Sequence, residues 1–221
     1  MLPITIKKLE SAGIVPHVKI AEELMKWLNW YLPIFGINTF ERLSMFFAQI
    51  LEETNGFDTL REYGTVSYFT RLYEHRMDIG NTQDGDGALF CGRAVIMVTG
   101  RKNYKLFRDW TVTSGYNPKR LDFEKNPELL EQPQWGVLAG CWFWQSRKLN
   151  EIADRTIGED ATKEVEDFLR ITKTVNGGYM GLSARLKFLK KMFVMFDDEQ
   201  IDASYLNGLL IAVDKVVMRK I

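Results

Sequence analysis

One segment, residues 38–56, constrains the fold of this 221-residue chain more than any other. Its apolar residues recur at helical spacing, which predicts an amphipathic helix with one buried face. Phe46, Ile50 and Glu53 stand at i, i+4 and i+7, so Glu53 shares that apolar face. The neighbouring Glu52 is turned about 100° away around the helix. Glu53 is therefore a candidate for chemistry, the alternative being a glutamate at a partly exposed helix end.

Both ends of this helix are also visible in the sequence. Asn38 is the expected N-cap, and Glu41 follows it at capping-box spacing. Gly56 can adopt a positive φ without a steric clash, so we expect it to end the helix. Glu53 then lies in the last turn, where the helix dipole and apolar surroundings disfavour a charged carboxylate. Such surroundings suit a general acid, which must carry a proton when it acts.

The composition is that of an ordinary globular protein. Hydrophobic residues make up 46% and charged residues 26%, and the 29 basic side chains balance the 29 acidic ones. This balance argues against polyanion binding, so we expect no nucleic-acid partner. Cys91 and Cys141 are too few for a disulfide framework and are expected to be buried thiols. His17 and His75 are too few and too scattered for a zinc site, so we expect no metal or other cofactor.

Helical periodicity covers most of the chain and predicts a mainly α protein. Between Phe57 and Tyr104, glycine, aspartate, asparagine and threonine predict turns, with short strands at Val66–Tyr73 and Ala88–Val98. Further helices are predicted over residues 1–36, within 101–125, over Trp135–Leu149, Glu159–Thr174 and Leu182–Phe196, and from about Ala203 onward.

No stretch has the character of a separating linker or a leader. We therefore expect a single domain over residues 1–221, with a small lobe at about residues 57–104. The first 16 residues contain no long apolar run, which predicts no signal peptide and no membrane insertion. Asp84 and Asp86 lack the glutamate that a calcium loop needs at its twelfth position, so they indicate a tight turn.

A second acid, Glu62, lies nine positions after Glu53. Two carboxylates on either side of a sugar chain are what hydrolysis of a glycosidic bond requires: one protonates the leaving oxygen, and the other activates water or attacks. The spacing alone is weak support for pairing Glu62 with Glu53, because glutamates are common in this chain and Glu62 could be solvated.

Four sequence blocks occur in order between residues 46 and 185. They are Ala48–Gln49 with Glu52–Phe57; Cys91–Tyr104; Trp142–Trp144 with Leu149–Asn150 and Ala153–Asp154; and Ile171–Gly178 with Gly181–Leu182 and Arg185. Together they resemble the motifs of glycoside hydrolase family 19, which contains chitinases and related phage and bacterial lysins. The resemblance implies a lysozyme-like α+β fold, in which a helical bundle lobe and a small β-hairpin lobe flank a substrate cleft.

The resemblance also implies a role for each matching residue. Glu53 matches the general acid, Glu62 the second acid that holds the attacking water, and Thr99 a hydroxyl that positions that water. The family inverts the sugar configuration, so the two carboxyl groups are expected roughly 6.5–9.5 Å apart. The implied substrate-binding residues are Gln49, Glu52, Asn103, Asn176 and Arg185, with Arg185 helping to keep the second acid ionised.

Three positions depart from the family pattern. Glu52 replaces the usual histidine before the acid, Ala94 replaces a glycine, and Met97 replaces a glutamine that binds substrate. The Met97 change removes a hydrogen-bond partner, so we expect a shifted sugar preference. The charge of Glu52 favours the protonated form of a neighbouring carboxylate if the two side chains face each other.

Three functions remain open on the sequence. The first is a monomeric endolysin that hydrolyses the β-1,4 backbone of peptidoglycan as a muramidase, without a separate cell-wall-binding domain. It would wait in the host cytoplasm and then reach the periplasm and cell wall to lyse the cell. The second is a chitinase acting on N-acetylglucosamine polymers, since both glycans share this linkage. The third is an inactive sugar-binding or virion protein.

Overall fold

The computed structural model describes residues 3–16, 18–155, 160–197 and 202–219. The prediction of a mainly α protein is confirmed, since helices make up most of these residues. The helices, in chain order, are α1 (Ile6–Ser11), α2 (Val18–Ile34), α3 (Phe40–Glu53), α4 (Val66–Tyr73), α5 (Asp86–Leu89), α6 (Arg101–Thr113), α7 (Pro133–Ser146), α8 (Leu149–Ala153), α9 (Ala161–Asn176), α10 (Leu182–Phe196) and α11 (Ala203–Arg219), with short 3₁₀ helices at Met77–Ile79 and Pro127–Glu131.

None of the helices in the described ranges combines the length and the apolar character needed to cross a membrane. The chain divides into two compact units, residues 1–58 with 144–221, and residues 59–143. The predicted small lobe falls in the second unit from residue 59 onward. The expectation of a single domain stays a prediction.

In the first unit, α3 packs against α8, α9 and α10. Its buried face carries Phe46, whose ring meets Trp144 edge-on at 5.1 Å, and Phe47, which meets Phe196 at 5.3 Å. Burying an aromatic side chain of this size stabilises a fold by about 2–3 kcal/mol. These contacts fix α3 firmly, and they therefore fix the position of the residue that ends it, Glu53.

The ends of α3 correct one prediction and confirm another. The N-cap is Thr39, whose hydroxyl accepts from Arg42 N, so Asn38 lies one residue too early. Glu53 lies in the last turn, as predicted, although the helix ends at Glu53 and not just before Gly56, whose φ is 73°. Its neighbours Asn55 and Phe57 also have positive φ, so the chain turns sharply after the acid.

The second unit has an aromatic core. Phe107 packs on Phe123 at 4.9 Å and on Trp142 at 5.5 Å, and Phe123 meets Trp135 at 5.2 Å. The predicted strand Val66–Tyr73 is wrong, because that segment forms α4. Its β-branched and aromatic residues favour strands locally, but the Thr65 hydroxyl accepts from Tyr68 N and starts a helix.

The predicted strand Ala88–Val98 is also wrong. This segment contains the end of α5 and then a series of turns, joined by isolated bridges from Arg93 to Arg61 and to Val98. The described residues of this region therefore contain paired turns rather than a β-hairpin. Cys91 and Cys141 are free and buried, as predicted, and burial raises the pKa of the Cys141 thiol.

Candidate active site

Glu53 forms an ion pair inside the first unit. Arg185 Nη2 donates to Glu53 Oε1 at 2.5 Å across 132 residues of sequence. The side chain of Glu53 is 10% exposed and that of Arg185 is 3% exposed. The structure thus brings together two residues that the family resemblance had named separately. A guanidinium therefore faces the Glu53 carboxylate, in addition to the apolar residues of its helical face.

Gln49 and Thr172 hold this guanidinium in place. Arg185 Nη1 donates to Gln49 Oε1 at 2.7 Å, and Gln49 Nε2 donates to Thr172 Oγ1 at 2.8 Å. Gln49 and Thr172 are fully buried, so both ends of the Gln49 amide are satisfied within the protein. In this structure Gln49 orients Arg185. Its predicted role in substrate binding stays a prediction.

Glu52 lies beside the start of α10, where Arg185 occupies the first turns. A Cβ added to Gly181 would stand 2.2 Å from Glu52 Oε1, and the φ of Gly181 is 69°. Only glycine fits this conformation and this gap. Burial raises the pKa of Glu52; the charge of Arg185 lowers it and that of Glu53 raises it, with a net rise.

Asn176 supports the turn that leads from α9 into α10. Its Oδ1 accepts from Met180 N at 3.2 Å, and the carbonyl of Met180 accepts from Arg185 Nε at 3.4 Å. The side chain is half-buried, so the predicted sugar contact of Asn176 remains a prediction. The observed contacts connect it to the backbone that orients Arg185.

Glu62, in the second unit, is held by neutral donors. The Tyr73 hydroxyl donates to Glu62 Oε1 at 2.8 Å, and Gly92 N donates to Oε2 at 3.0 Å. The backbone N–H of Glu62 donates to the Gly92 carbonyl at 2.9 Å. Burial raises the pKa of Tyr73, and the charge of Glu62 raises it further, so the phenol remains a donor. Its partners fix both carboxylate oxygens.

Gly92 has no room for a side chain. An added Cβ would lie 2.9 Å from Met97 Cβ and 3.0 Å from Glu62 Oε2. Ala94, which stands where the family has a second glycine, has a φ of 78°. A positive φ is strained for alanine, which gives a physical reason for glycine at this position.

Thr99 and Asn103 extend the same part of the second unit. Thr99 Oγ1 donates to the Met97 carbonyl at 2.9 Å, and Asn103 Nδ2 donates to the Thr99 carbonyl at 2.8 Å. The Thr99 hydroxyl keeps its capacity to accept a hydrogen bond. The water-positioning role of Thr99 and the sugar contact of Asn103 stay predictions.

Arg93 secures the turn that presents Gly92. Its Nη1 donates to the Leu89 carbonyl at 2.9 Å and to the Tyr104 hydroxyl at 3.0 Å, and its Nε donates to Glu131 at 2.7 Å. Arg93 is 5% exposed, so a buried cation organises this turn. The family resemblance did not single out this support.

One exposed group in the described residues has the donors to hold a metal ion. Ligand atoms of Glu74, His75 and Asp84 lie within 4.8 Å of one another. Both oxygens of Glu74 already accept backbone N–H groups, from Gly85 at 2.6 Å and Gly87 at 2.7 Å. These hydrogen bonds to Gly85 and Gly87 explain why the three side chains lie close together: Glu74 stabilises the turn that contains Asp84. The expectation of no metal stays a prediction, and His17 lies outside the described residues.

Sequence reasoning missed Tyr73 and Thr172 as supporting residues. Tyr73 had been assigned to a strand, and no signal in the sequence connects it to Glu62. Thr172 falls within the predicted helix Glu159–Thr174 and the Ile171–Gly178 block, neither of which assigns it a partner. A polar residue on an otherwise apolar helical face was the available signal, since a buried hydroxyl needs a partner.

The chain resembles known proteins in sequence and in fold. No protein-family model matches the chain. Over 128 residues it is 29% identical to a Haemophilus influenzae protein named as a glycosyl hydrolase family 19 domain-containing protein. The match covers 58% of this chain and 53% of that protein, so the chain spans about half the length of this curated relative. The sequence resemblance to family 19 is thereby confirmed.

Solved structures of chitinase C match at the level of fold. A mutant of chitinase C gives a TM-score of 0.59 at 16% identity, covering 87% of this chain and 92% of that one. Chitinase C from Streptomyces griseus HUT6037 gives 0.60 at 16% identity, covering 87% and 76%. The chain has the chitinase C fold. The predicted fold class is confirmed by this match, apart from the β-hairpin lobe.

Proposed function

We propose that the protein is a glycoside hydrolase acting on β-1,4-linked N-acetylated glycans. One observation carries the proposal: Glu53 and Arg185, matched separately to family motifs, form an ion pair within one unit. An accidental motif match gives no reason for two residues so far apart in sequence to meet. The similarity to a protein named for family 19 and the chitinase C fold support the same reaction class.

The proposed reaction divides its two proton transfers between Glu53 and Glu62. Glu53, protonated, donates to the glycosidic oxygen, and the bond from that oxygen to the anomeric carbon breaks with its electron pair on the oxygen. Water attacks the anomeric carbon from the opposite face and gives its proton to Glu62, while Thr99 orients the water. Both partners of Glu62 donate, so its oxygens remain the acceptors that a base requires. The sugar configuration is inverted.

Peptidoglycan is the proposed substrate, cut as by a muramidase. The nine-residue spacing from Glu53 to Glu62 resembles that of phage-type lysins, and both cysteines are free. Met97 replaces a glutamine associated with sugar binding, which supports a substrate other than plain chitin. The biological role proposed is that of a monomeric endolysin, held in the host cytoplasm and released to the cell wall for lysis.

Chitin is the second candidate substrate. The structural neighbours are named chitinase C, and chitin has the same β-1,4 linkage to N-acetylated sugars. The same two carboxylates serve either glycan, because the chemistry takes place at the glycosidic oxygen and the anomeric carbon. The two proposals differ in the sugar that stands at the new reducing end after each cut.

The test is digestion of purified peptidoglycan and, separately, of chitin oligomers, with the new reducing ends identified by mass spectrometry. Muramic acid ends support the muramidase, glucosamine ends indicate a glucosaminidase, and cut chitin favours the chitinase. Glu53→Gln and Glu62→Gln are each expected to lower the rate by at least about 1,000-fold. Glu166→Gln, on an exposed face of α9, is the matched control. Binding of glycan without any cleavage by the unaltered protein would contradict the hydrolase.

A further inference from the structure

The turn between α9 and α10 presents two apolar side chains to solvent beside the candidate site. Met180 is 80% exposed, and its neighbour Tyr179 is also exposed. A single exposed apolar side chain is ordinary on a protein surface. Met180 differs from such residues because its backbone bonds the same guanidinium that holds Glu53. The position of Met180 is therefore fixed relative to Glu53, although its side chain is left in solvent.

Both polar groups of the Met180 backbone have partners. Its N–H donates to Asn176 Oδ1 at 3.2 Å, and its carbonyl accepts from Arg185 Nε at 3.4 Å. The Arg185 side chain is buried, so an ordered group of the protein interior anchors the turn. The Met180 side chain therefore extends from a fixed backbone. Binding a ligand to it requires ordering of the side chain alone, which keeps the entropy cost of binding low.

The guanidinium that donates to Met180 also donates to Glu53. Arg185 Nη2, on the same planar group as Nε, bonds Glu53 Oε1 at 2.5 Å. The residue after Met180 approaches the other acid of this helix end, since a Cβ added to Gly181 would stand 2.2 Å from Glu52 Oε1. The turn therefore lies against the end of α3, within the first unit. A glycan whose glycosidic oxygen reaches Glu53 passes close to Met180.

We propose that Met180 is a specificity-determining residue, whose thioether side chain packs on the apolar part of an N-acetylated sugar bound beside Glu53. This inference rests on the proposed function, in which Glu53 is the acid. Such a sugar offers two apolar parts, the C–H face of its ring and the methyl of its acetamido group. Methionine suits irregular apolar surfaces because its side chain is unbranched and polarisable. Removing these groups from water favours binding without a hydrogen bond.

The first test is the kinetics of Met180→Ala on the glycan that the unaltered protein cleaves. An apolar contact made equally to the substrate and the transition state affects binding, so KM should rise by about tenfold with kcat nearly unchanged. Met180→Leu keeps most of the apolar surface and should retain most of the binding. Met77→Ala, in the second unit, is the matched control because Met77 is 69% exposed. A KM for Met180→Ala equal to that of the unaltered protein overturns the proposal.

The second test measures binding without cleavage. Methionine methyl groups labelled with ¹³C are followed by NMR in Glu62→Gln, which leaves the hydrogen bonds of Arg185 in place. A hexamer of N-acetylglucosamine and, separately, a peptide-free glycan fragment of peptidoglycan are added until binding is saturated. The Met180 methyl signal, assigned from its loss when Met180→Leu is added to this variant, should shift with the glycan that binds. The Met77 signal should stay in place.

Nuclear Overhauser effects between protein and sugar then identify the part of the sugar in contact. An effect from the Met180 methyl to the acetamido methyl assigns the contact to that group, and an effect to ring protons assigns it to the C–H face. If a glycan is cleaved by the unaltered protein but the Met180 signal shows neither a shift nor such an effect at saturation, this inference alone is overturned. If neither glycan is bound or cleaved, the proposed function fails and the inference fails with it.

Discussion

The two carboxylates assigned to the reaction are held in opposite ways. Glu53, in the first unit, is nearly buried and ion-paired to Arg185, which is itself fixed by Gln49. Glu62, in the second unit, is partly buried and accepts from a phenol and a backbone N–H, both neutral. One carboxylate is thus oriented by a cation and the other by uncharged donors.

This difference separates two requirements of the proposed reaction. A base has to be ionised and aimed, which neutral donors achieve without adding charge. An acid has to be protonated and aimed, and a cation aims it firmly while opposing its protonation. Variants of the partner residues test this contrast, because each removes one kind of support.

Arg185→Met gives the largest expected effect. It leaves Glu53 without a partner, and breaking a buried ion pair typically costs about 3–5 kcal/mol of stability. We expect a free energy of unfolding lower by about 3 kcal/mol and a kcat/KM lower by about 100-fold, since the acid loses its orientation. Urea unfolding and the glycan digestion assay measure the two quantities.

Lys187→Met is the matched control for this prediction, because Lys187 is exposed on the same helix. It should change neither stability nor rate appreciably. The double variant Glu53→Gln with Arg185→Met should be more stable than Arg185→Met alone, since no buried charge is left unpaired. Equal stability of these two proteins would show that the ion pair is not what the substitution breaks.

A third carboxylate, Glu164, sharpens the comparison. Like Glu62 it accepts from a tyrosine hydroxyl, that of Tyr205, but it is fully buried and its Oε1 has no partner among the described residues. Burial raises the pKa of Glu164 to about 7; the Tyr205 hydrogen bond lowers it, and the charges of Glu41 and Asp167 raise it. A neutral donor alone is therefore insufficient to hold a deeply buried carboxylate in its charged form.

The sign of the pH effect follows from that raised pKa. Below about pH 4 the carboxyl is protonated in both the folded and the unfolded chain and contributes no pH-dependent term. As pH rises toward 7 the unfolded chain ionises first, so stability falls, by at most about 3 kcal/mol. Glu164→Gln removes this loss and should raise the free energy of unfolding at pH 8 by about 2 kcal/mol, with little change at pH 4. Glu166→Gln is the control, and an equal change at both pH values would contradict the ionisation argument.

Local signals in the sequence sufficed where local forces decide structure. The predicted bounds of Leu182–Phe196 are those of α10, and Glu53 lies in the last turn of α3, as predicted. The strand prediction for Val66–Tyr73 failed because its residue types favour strands, whereas the Thr65 cap and the burial of Phe69 favour a helix.

The supporting contacts of the site were beyond sequence reasoning for a different reason. Gln49 and Thr172 are 123 residues apart, and nothing in either helical pattern says which face meets which. Motif resemblance supplied Gln49 and Arg185 as residues of interest but not their bond to each other. Such pairings depend on how helices pack, which periodicity leaves open.

Tyr73→Phe tests the neutral side of the comparison. It removes the hydroxyl that donates to Glu62 and keeps the ring, which stacks on Phe69 at a centroid distance of 6.3 Å. We expect kcat/KM to fall by about tenfold, because one hydrogen bond that aims the base is worth about 1–1.5 kcal/mol, and stability should hardly change. Tyr68→Phe, exposed on the same helix, is the control. An unchanged rate would mean that Gly92 N alone orients Glu62.

Thr172→Val gives the smallest effect and tests how far the support of Glu53 extends. Valine matches threonine in shape but cannot accept from Gln49 Nε2, which then stays buried without a partner. We expect a loss of about 1 kcal/mol in stability. The rate should fall by about threefold, because Gln49 then holds Arg185 less firmly. Thr172→Ser keeps the hydroxyl and should restore the rate even if the lost methyl group costs some stability. If the rate falls in proportion to the loss of stability in both variants, Thr172 contributes to the core alone. Gln49 then orients Arg185 without help from Thr172.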